Sequence, residues 1–355
     1  MTKILTIVGA RPQFVKAAAL SRELRKHPSI QELIVHTGQH FEKNMSDIFF
    51  EEMEIPKPHY NLEINSLSHG AMTGRMLEEI EKVILKEKPD WVLVYGDTNS
   101  TIAGALAAKK LHVKVAHVEA GLRSFNIQMP EEVNRILTDR ISDVLFCPTQ
   151  TAVKNLHNEG FKNIDADIVL SGDVMQDAAL FYASKLHEKE LQTSDFQDNF
   201  ILCTLHRAEN TDDKNRLSQI VEALNEIHHT IKPVVLPLHP RTKKKLDEHN
   251  LKLEVNTVNP LGYFDMINLI QKCDLVMTDS GGLQKEAFFF KKHCVTLRDQ
   301  TEWVELLENG FNTLAGADKT LIIQSVSDML NKISDFDKDL YGKGKATQRI
   351  AEYFL

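Results

Sequence analysis

The sequence predicts an α/β protein built as two Rossmann-like doubly wound domains facing a cleft. Three observations carry that expectation. Short β-branched runs alternate with longer amphipathic stretches, the runs are continuously apolar as in parallel strands covered on both faces, and the rhythm halts near residues 171–173 and then starts again. At 355 residues and 42% hydrophobic content, the chain has enough material for two domains of ordinary size.

In the first half, residues 4–8, 33–37, 91–95, 113–118 and 144–147 are expected strands, with helices over 13–25, 73–86, 98–109 and 130–141. The second half repeats the pattern, with strands near 200–204, 234–238, 253–258, 275–278 and 294–297. A helix from Val174 opens this second unit. Two glycines within 341–345 mark a break before a last helix at 346–354. No short-period repeat or low-complexity tract interrupts the chain.

The net charge of −8 gives no basic field, which argues against broad nucleic-acid binding. Cys147, Cys203, Cys273 and Cys294 lie far apart, without a CxxC knuckle or a disulfide framework, and read as buried thiols of a reducing compartment. The first apolar run is too short for a signal segment, and no stretch approaches the ~20 apolar residues that span a bilayer. A cytoplasmic protein without membrane insertion is the expectation.

Open parallel sheets bind ligands just beyond the C-terminal ends of their strands, so the side chains at those exits are the candidates. The first strand empties into Gly9-Ala10-Arg11-Pro12-Gln13, with Lys16 one turn inside the next helix. Arg11 and Lys16 place cations beside helix-start amides, which suits a diphosphate; a structural turn with solvated basic residues also explains them. The turn lacks GxGxxG, so a nicotinamide dinucleotide gets little support. After later strands come Asp97 in Gly-Asp-Thr and Glu119 in His-Val-Glu-Ala-Gly-Leu-Arg, and Glu131 sits at the helix start Pro130-Glu131-Glu132. A single such acid is usually a helix cap or dipole compensation, whereas several converging on one cleft point to proton transfer.

In the second half, His206 and Arg207 follow a strand, and His239 follows the next; they suit proton or phosphate handling, though a lone histidine is more often structural. Their spacing matches no metal site, and neither a metal nor a cofactor is expected. The most specific segment is Thr278-Asp279-Ser280-Gly281-Gly282-Leu283-Gln284-Lys285-Glu286. Its glycines let a phosphate or ribose approach backbone amides, Ser280 can donate, and Glu286 can accept from ribose hydroxyls. Arg298 then begins another charged turn.

Taken together, GARPQ, GDT, HVEAGLR, PEE.NR, HR.EN, TDSGG.Q.EA and RD.TE resemble, from end to end, the non-hydrolysing UDP-N-acetylglucosamine 2-epimerases. The resemblance implies the glycosyltransferase-B architecture, with a C-terminal helix crossing back onto the first domain. The expected domains are therefore 1–170 with 342–355, carrying the acid/base residues, and 171–341, binding UDP. It implies catalytic roles for Asp97, Glu119, Glu131 and His206, and UDP contacts from Arg11, Lys16, Ser280, Gly282 and Glu286, with Arg298 nearby. The implied reaction is anti elimination of UDP to a 2-acetamidoglucal and re-addition with carbon 2 inverted, in polysaccharide biosynthesis such as that of lipopolysaccharide O-antigen. A UDP-sugar substrate and a homodimer follow from the same source. A glycosyltransferase of the same architecture or a nucleotide-sugar sensor would share the UDP cradle; the acids of the first half favour epimerisation.

Some positions depart from the UDP-N-acetylglucosamine enzymes. Trp303 and Val304 stand where an arginine follows Thr-Glu, Leu261-Gly262-Tyr263 and Met266 alter the turn that contacts uracil, and residues 43–47 and His69 alter an allosteric signature. The segments DQTEWVEL and FNIQMPEEVNRILTD resemble the branch acting on UDP-2,3-diacetamido-2,3-dideoxyglucuronate, with UDP-N-acetylglucosamine, epimerised to UDP-N-acetylmannosamine, as the alternative substrate. The extra carboxylate of the diacetamido sugar needs a partner, for which Arg123, Arg135 and Arg207 are candidates, each equally explicable as a structural ion pair. The altered signature predicts hyperbolic kinetics without activation by UDP-N-acetylglucosamine. Initial rates against substrate concentration, with and without that nucleotide sugar, check this, and a sigmoidal curve that it relieves would contradict it.

Overall fold

The computed structural model describes residues 1–39, 54, 56–188, 191–193 and 196–355. The altered segment 43–47 lies outside the described residues. The chain divides into two units, Met1–Phe181 with Asp339–Leu355, and Tyr182–Lys338.

Among the described residues, the first unit holds seven parallel strands: β1 (Thr2–Val8), β2 (Ile30–His36), β3 (Tyr60–Asn61), β4 (Trp91–Tyr95), β5 (Lys114–Val118), β6 (Val144–Cys147) and β7 (Asp167–Leu170). Their order is β3-β2-β1-β4-β5-β6-β7, with Leu5 beside Leu33 on one side and Val92 on the other. Chain direction across the sheet therefore reverses between β1 and β4. On one face Leu5, Ile7, Val92, Val94 and Val115 pack against Met76, Ile80 and Ile84 of the helix His69–Glu87 and alanines of the helix Asn99–Lys110. Each such side chain, taken fully out of water, contributes about 1.5–3 kcal/mol.

Among the described residues, the second unit holds six parallel strands, β8 (Ile201–Thr204), β9 (Val234–Pro237), β10 (Asn256–Val258), β11 (Leu275–Thr278), β12 (His293–Thr296) and β13 (Asn312–Leu314), ordered β10-β9-β8-β11-β12-β13. Alternation along these strands explains the apolar runs. Ile201, Cys203, Val234, Leu236, Leu275 and Met277 meet the helices Lys214–Thr230 and Lys319–Asn331 on one face. Leu202, Val235 and Val276 meet Leu269, Ile270, Leu283 and Ala287 on the other. Both faces are covered, so no residue position along a central strand can be polar without a partner.

Strands β3, β7 and β13 were not expected. They are two to four residues long, stand at sheet edges and are largely exposed or half-buried; only β7, with Ile168, Val169 and Leu170, carries an apolar run, and it is too short to stand out. Only Asn256–Val258 of the run expected at 253–258 is strand, because Leu253 packs against the core from a loop.

The unit boundary falls at 181/182 and 338/339, against the expected 170/171 and 341/342. The helix Val174–Ser184 is the reason: its Asp177 caps the last helix, Ala346–Tyr353, by accepting from the Ala346 N–H (3.1 Å), the Thr347 N–H (2.8 Å) and the Thr347 hydroxyl (2.6 Å). That last helix is fastened to the first sheet by Phe354 against Trp91 and Tyr353 against Phe146, both edge-to-face at 5.4 Å. All four cysteines are free and buried, and burial pushes the Cys273 and Cys294 thiols up to about 12, which makes them inert packing groups. Among the described residues, no helix is long and apolar enough to cross a membrane.

Gly9, the first residue after β1, sits where three elements meet. A Cβ there would lie 2.1 Å from Ser100 Oγ and 2.2 Å from Thr37 Oγ1, closer than any packing allows. Gly9→Ala is therefore expected to destabilise the fold by about 1–3 kcal/mol, read as a lower urea midpoint with an unchanged slope; wild-type stability would refute the close approach.

Candidate active site

The exits of β1 and β4 are joined by one side chain. Gln13 is 1% exposed; its carbonyl accepts from the Gly9 (2.8 Å) and Ala10 (3.0 Å) N–H groups. Its amide donates to the Tyr95 carbonyl (2.8 Å) and to the hydroxyls of Thr98 (2.9 Å) and Thr101 (3.0 Å). All its hydrogen-bonding capacity is thus spent on holding the two turns that flank the point where strand order reverses.

Beyond the joint, β4 and β5 end in neighbouring left-handed residues, Gly96 at φ 61° and Glu119 at φ 70°. For a glutamate that conformation costs about 1 kcal/mol. It turns Glu119 against Lys16, which arrives from the helix Arg11–Leu24, and the two form an ion pair with about a tenth of each side chain exposed. Asp97 pairs with Arg135 of the helix Pro130–Ile141, while its carbonyl accepts from Asn134 (2.9 Å). Two of the three acids expected to act as a cluster thus each face their own cation. Lys16 was expected as a phosphate ligand, and here its first partner is the acid.

The segment Pro130-Glu131-Glu132 splits in two. Glu131 is exposed. Glu132 is 1% exposed and accepts from Ser124 N–H (2.9 Å), Ser124 hydroxyl (2.9 Å), Phe125 N–H (3.0 Å) and Arg135 (2.7 Å). Burial alone would push the Glu132 carboxyl up; those donors outweigh it and hold the carboxyl below its ordinary value of 4.5.

His117, fully buried in β5, ties Asp139 (2.7 Å) to the Gly96 carbonyl (2.7 Å) and so supports the turn that carries Asp97. Asp139 also accepts from Gly121 N–H (3.1 Å) and Arg123 (2.7 Å). Arg123 completes a fork on Glu159 at 2.6 and 2.7 Å with its side chain 1% exposed. Its guanidinium is consumed by the fold, which removes it from the candidates for the extra sugar carboxylate. Arg135 is likewise held between Asp97 and Glu132. Arg11 opens its helix, and its side chain lies outside the described residues. His69 meets the Asn99 amide at 3.2 Å.

The second unit repeats the layout at its own reversal point, between β8 and β11. Asp279, fully buried, accepts from the backbone N–H groups of His206 (2.9 Å) and Arg207 (2.8 Å). Ser280 precedes the helix Gly281–Phe289; its N–H donates to the Thr278 hydroxyl (2.9 Å) and its own hydroxyl makes no capping bond. A Cβ on Gly282 would meet nothing within 4 Å, so the protein's own packing does not demand glycine there. Room above helix-start N–H groups is what an anion needs. Arg207 is half-buried, with its Nη2 3.8 Å from where a Gly281 Cβ would stand. Arg298 forks onto Glu302 at 3.1 and 3.2 Å, with Glu209 at 3.4 Å. Trp303 donates to the Gly281 carbonyl (2.9 Å) beneath the Lys285 ammonium, 4.0 Å from its ring, so the departure from arginine becomes a prop for the helix start. Glu286 sits half-buried one turn further on. His239 is exposed and caps the helix Pro240–Glu248 through Nδ1, 6.4 Å from the His206 ring. An open groove of about 450 Å³, lined by Leu238, Lys243, Thr257, Val258 and Leu261 among others, lies at the exits of β9 and β10.

Gln13, His117, Asp139, Glu132 and Asp279 were missed as individuals. The available signals were a polar residue inside an apolar run for His117 and, for the others, membership of dense motifs.

The family model for UDP-N-acetylglucosamine 2-epimerase matches residues 22–355. The chain belongs to that family. It is 62% identical to the UDP-2,3-diacetamido-2,3-dideoxy-D-glucuronate 2-epimerase of Pseudomonas aeruginosa, over 99% of both chains. Among solved structures, it matches the Methanocaldococcus jannaschii UDP-GlcNAc 2-epimerase in complex with UDP-GlcNAc and UDP at 46% identity and a TM-score of 0.86, over 99% of each chain. The Neisseria meningitidis UDP-GlcNAc 2-epimerase bound to UDP-GlcNAc matches at 31% identity and a TM-score of 0.86, again over 99% of each. The expected two parallel-sheet α/β domains are thus those of glycosyltransferase-B-like 2-epimerases, and the chain is an epimerase.

The stability linked to Glu132 is complete above its ordinary value of 4.5 and is lost as pH falls through the depressed one. Glu132→Gln is expected to flatten that acid limb and to cost about 1–3 kcal/mol at neutral pH. Urea unfolding across the acid range measures both, and an unchanged acid limb would count against the assignment.

Proposed function

We propose that the chain inverts carbon 2 of UDP-2,3-diacetamido-2,3-dideoxy-D-glucuronate, gluco to manno, without net hydrolysis. The observation that carries the substrate is the end-to-end identity with the Pseudomonas aeruginosa enzyme of that name. The site is consistent with the chemistry. An enzyme carboxylate takes the carbon 2 proton, its electron pair forms the C1=C2 bond, and the anomeric C–O bond breaks with its pair leaving on UDP. Re-addition reverses these movements and returns a proton to the opposite face, so more than one acid/base group is needed. We assign this work to Asp97, Glu119 and Glu131, with His206 as a further proton-handling group.

The UDP falls to the second unit, with the diphosphate at the helix start Ser280–Gly282 beside Arg207, and Glu286 toward the ribose. Of the three arginines offered to the extra carboxylate, Arg207 is the one supported, since Arg123 and Arg135 are committed to buried ion pairs. We further propose a cytoplasmic homodimer that supplies polysaccharide biosynthesis.

The test is incubation in deuterated water with this substrate and, separately, with UDP-N-acetylglucosamine, reading carbon 2 by NMR. Deuterium at carbon 2 with the manno epimer is expected, with kcat/KM at least about tenfold higher for the diacetamido acid, a preference of ~1.4 kcal/mol. Asp97→Asn, Glu119→Gln and Glu131→Gln are expected to lower exchange and turnover. Preference for UDP-N-acetylglucosamine would overturn the substrate, and free UDP without epimer would overturn the reaction.

A further inference from the structure

Asp279 is a fully buried carboxylate that the reaction above leaves unused. It lies immediately after β11, next to the point where the second sheet reverses, and its carboxylate hydrogen-bonds the segment 206–210. Its oxygens accept from His206 N–H (3.2 and 2.9 Å), Arg207 N–H (2.8 Å) and the Asn210 amide (3.4 Å). Asn210 is itself fixed by donating to the Leu297 carbonyl at 2.8 Å. The carboxylate therefore sets the backbone of the turn that carries the histidine.

It also meets the ring. Asp279 Oδ1 stands 3.3 Å from His206 Nδ1, while the carboxylate is fully buried and the imidazole 43% exposed. In an imidazole the second nitrogen lies across the ring, so Nε2 points away from the carboxylate. A nitrogen that faces an acceptor carries its proton there, and the other nitrogen is left with its lone pair. The carboxylate is fully buried and held by its other hydrogen bonds, so the preference for this orientation is built into the fold.

We propose that Asp279 is a positioning residue: it holds the His206 turn by its backbone and the ring by Nδ1, so that His206 offers Nε2 to the reaction. It touches no reacting atom and acts only through the histidine, in the way an orienting carboxylate serves a general base. The inference rests on the role proposed for His206.

The experiment uses full-length protein labelled with ¹⁵N-histidine, with the His206 signals assigned by their loss in His206→Asn. In the wild type, His206 is expected as the Nδ1–H tautomer with Nε2 unprotonated. Asp279→Asn replaces an acceptor by an amide that can donate, and is expected to shift the ring toward the Nε2–H form. Its kcat is expected to fall at least about tenfold, and by more than its affinity for UDP falls. An Nε2–H tautomer in the wild type overturns the proposal without any variant, which keeps it testable if Asp279→Asn does not fold. An unchanged tautomer with unchanged kcat overturns it, as does a loss of UDP affinity equal to the loss of kcat, which would mark a merely structural role. Failure of carbon 2 exchange in the wild type would sink the proposed function instead, and the ring signals would still report the geometry.

Discussion

The amide of Gln13 holds together the turns that follow β1 and β4 in the first unit. With both its donor and acceptor sides engaged, it keeps the exits of β1 and β4 at a fixed separation. The Gly9 backbone can then come against Ser100 and Thr37, and Lys16, one turn on in the same helix, reaches Glu119. Buried and multiply bonded, such a group is costly to disturb, because each donor or acceptor left without a partner costs about 1–3 kcal/mol. The position of two charged side chains thus depends on an uncharged one.

Charge in both units is handled by pairing close to the surface. Lys16 with Glu119, Arg135 with Asp97 and Glu132, and Arg298 with Glu302 each combine a cation and a carboxylate at low exposure. Pairing is what lets so many ionised groups share a small region, since an isolated one would neutralise itself. It also means that a cation near the strand ends does not by itself identify an anion-binding residue. Arg123, wholly consumed by Asp139 and Glu159, illustrates the point.

The two sheets solve the same problem with different parts. Each reverses strand order once, and each places a buried polar residue there to organise the turn: Gln13 in one, Asp279 in the other. A strand covered on both faces has no side chain to spare for a ligand, so function is pushed to the exits and their geometry must be enforced from within. His117 extends the same logic, a polar residue inside β5 whose two ring nitrogens serve Asp139 and the carbonyl just before Asp97.

The sequence by itself determined the fold class, the central strands and the family, because parallel strands buried on both faces leave continuous apolar runs and the exits between them carry dense motifs. It also placed Asp97, Glu119 and His206 just beyond those strands. It did not determine the short edge strands β3, β7 and β13, which are only two to four residues long and too brief to stand out as runs. Nor did it separate Glu131, exposed, from Glu132, buried, although the two are adjacent and identical in kind. Only the tertiary structure decided which arginines are spent on the fold and which carboxylate is buried against the His206 turn. Those outcomes depend on pairings between residues far apart in the chain, such as Arg207 with Asp279, and local composition holds no record of them.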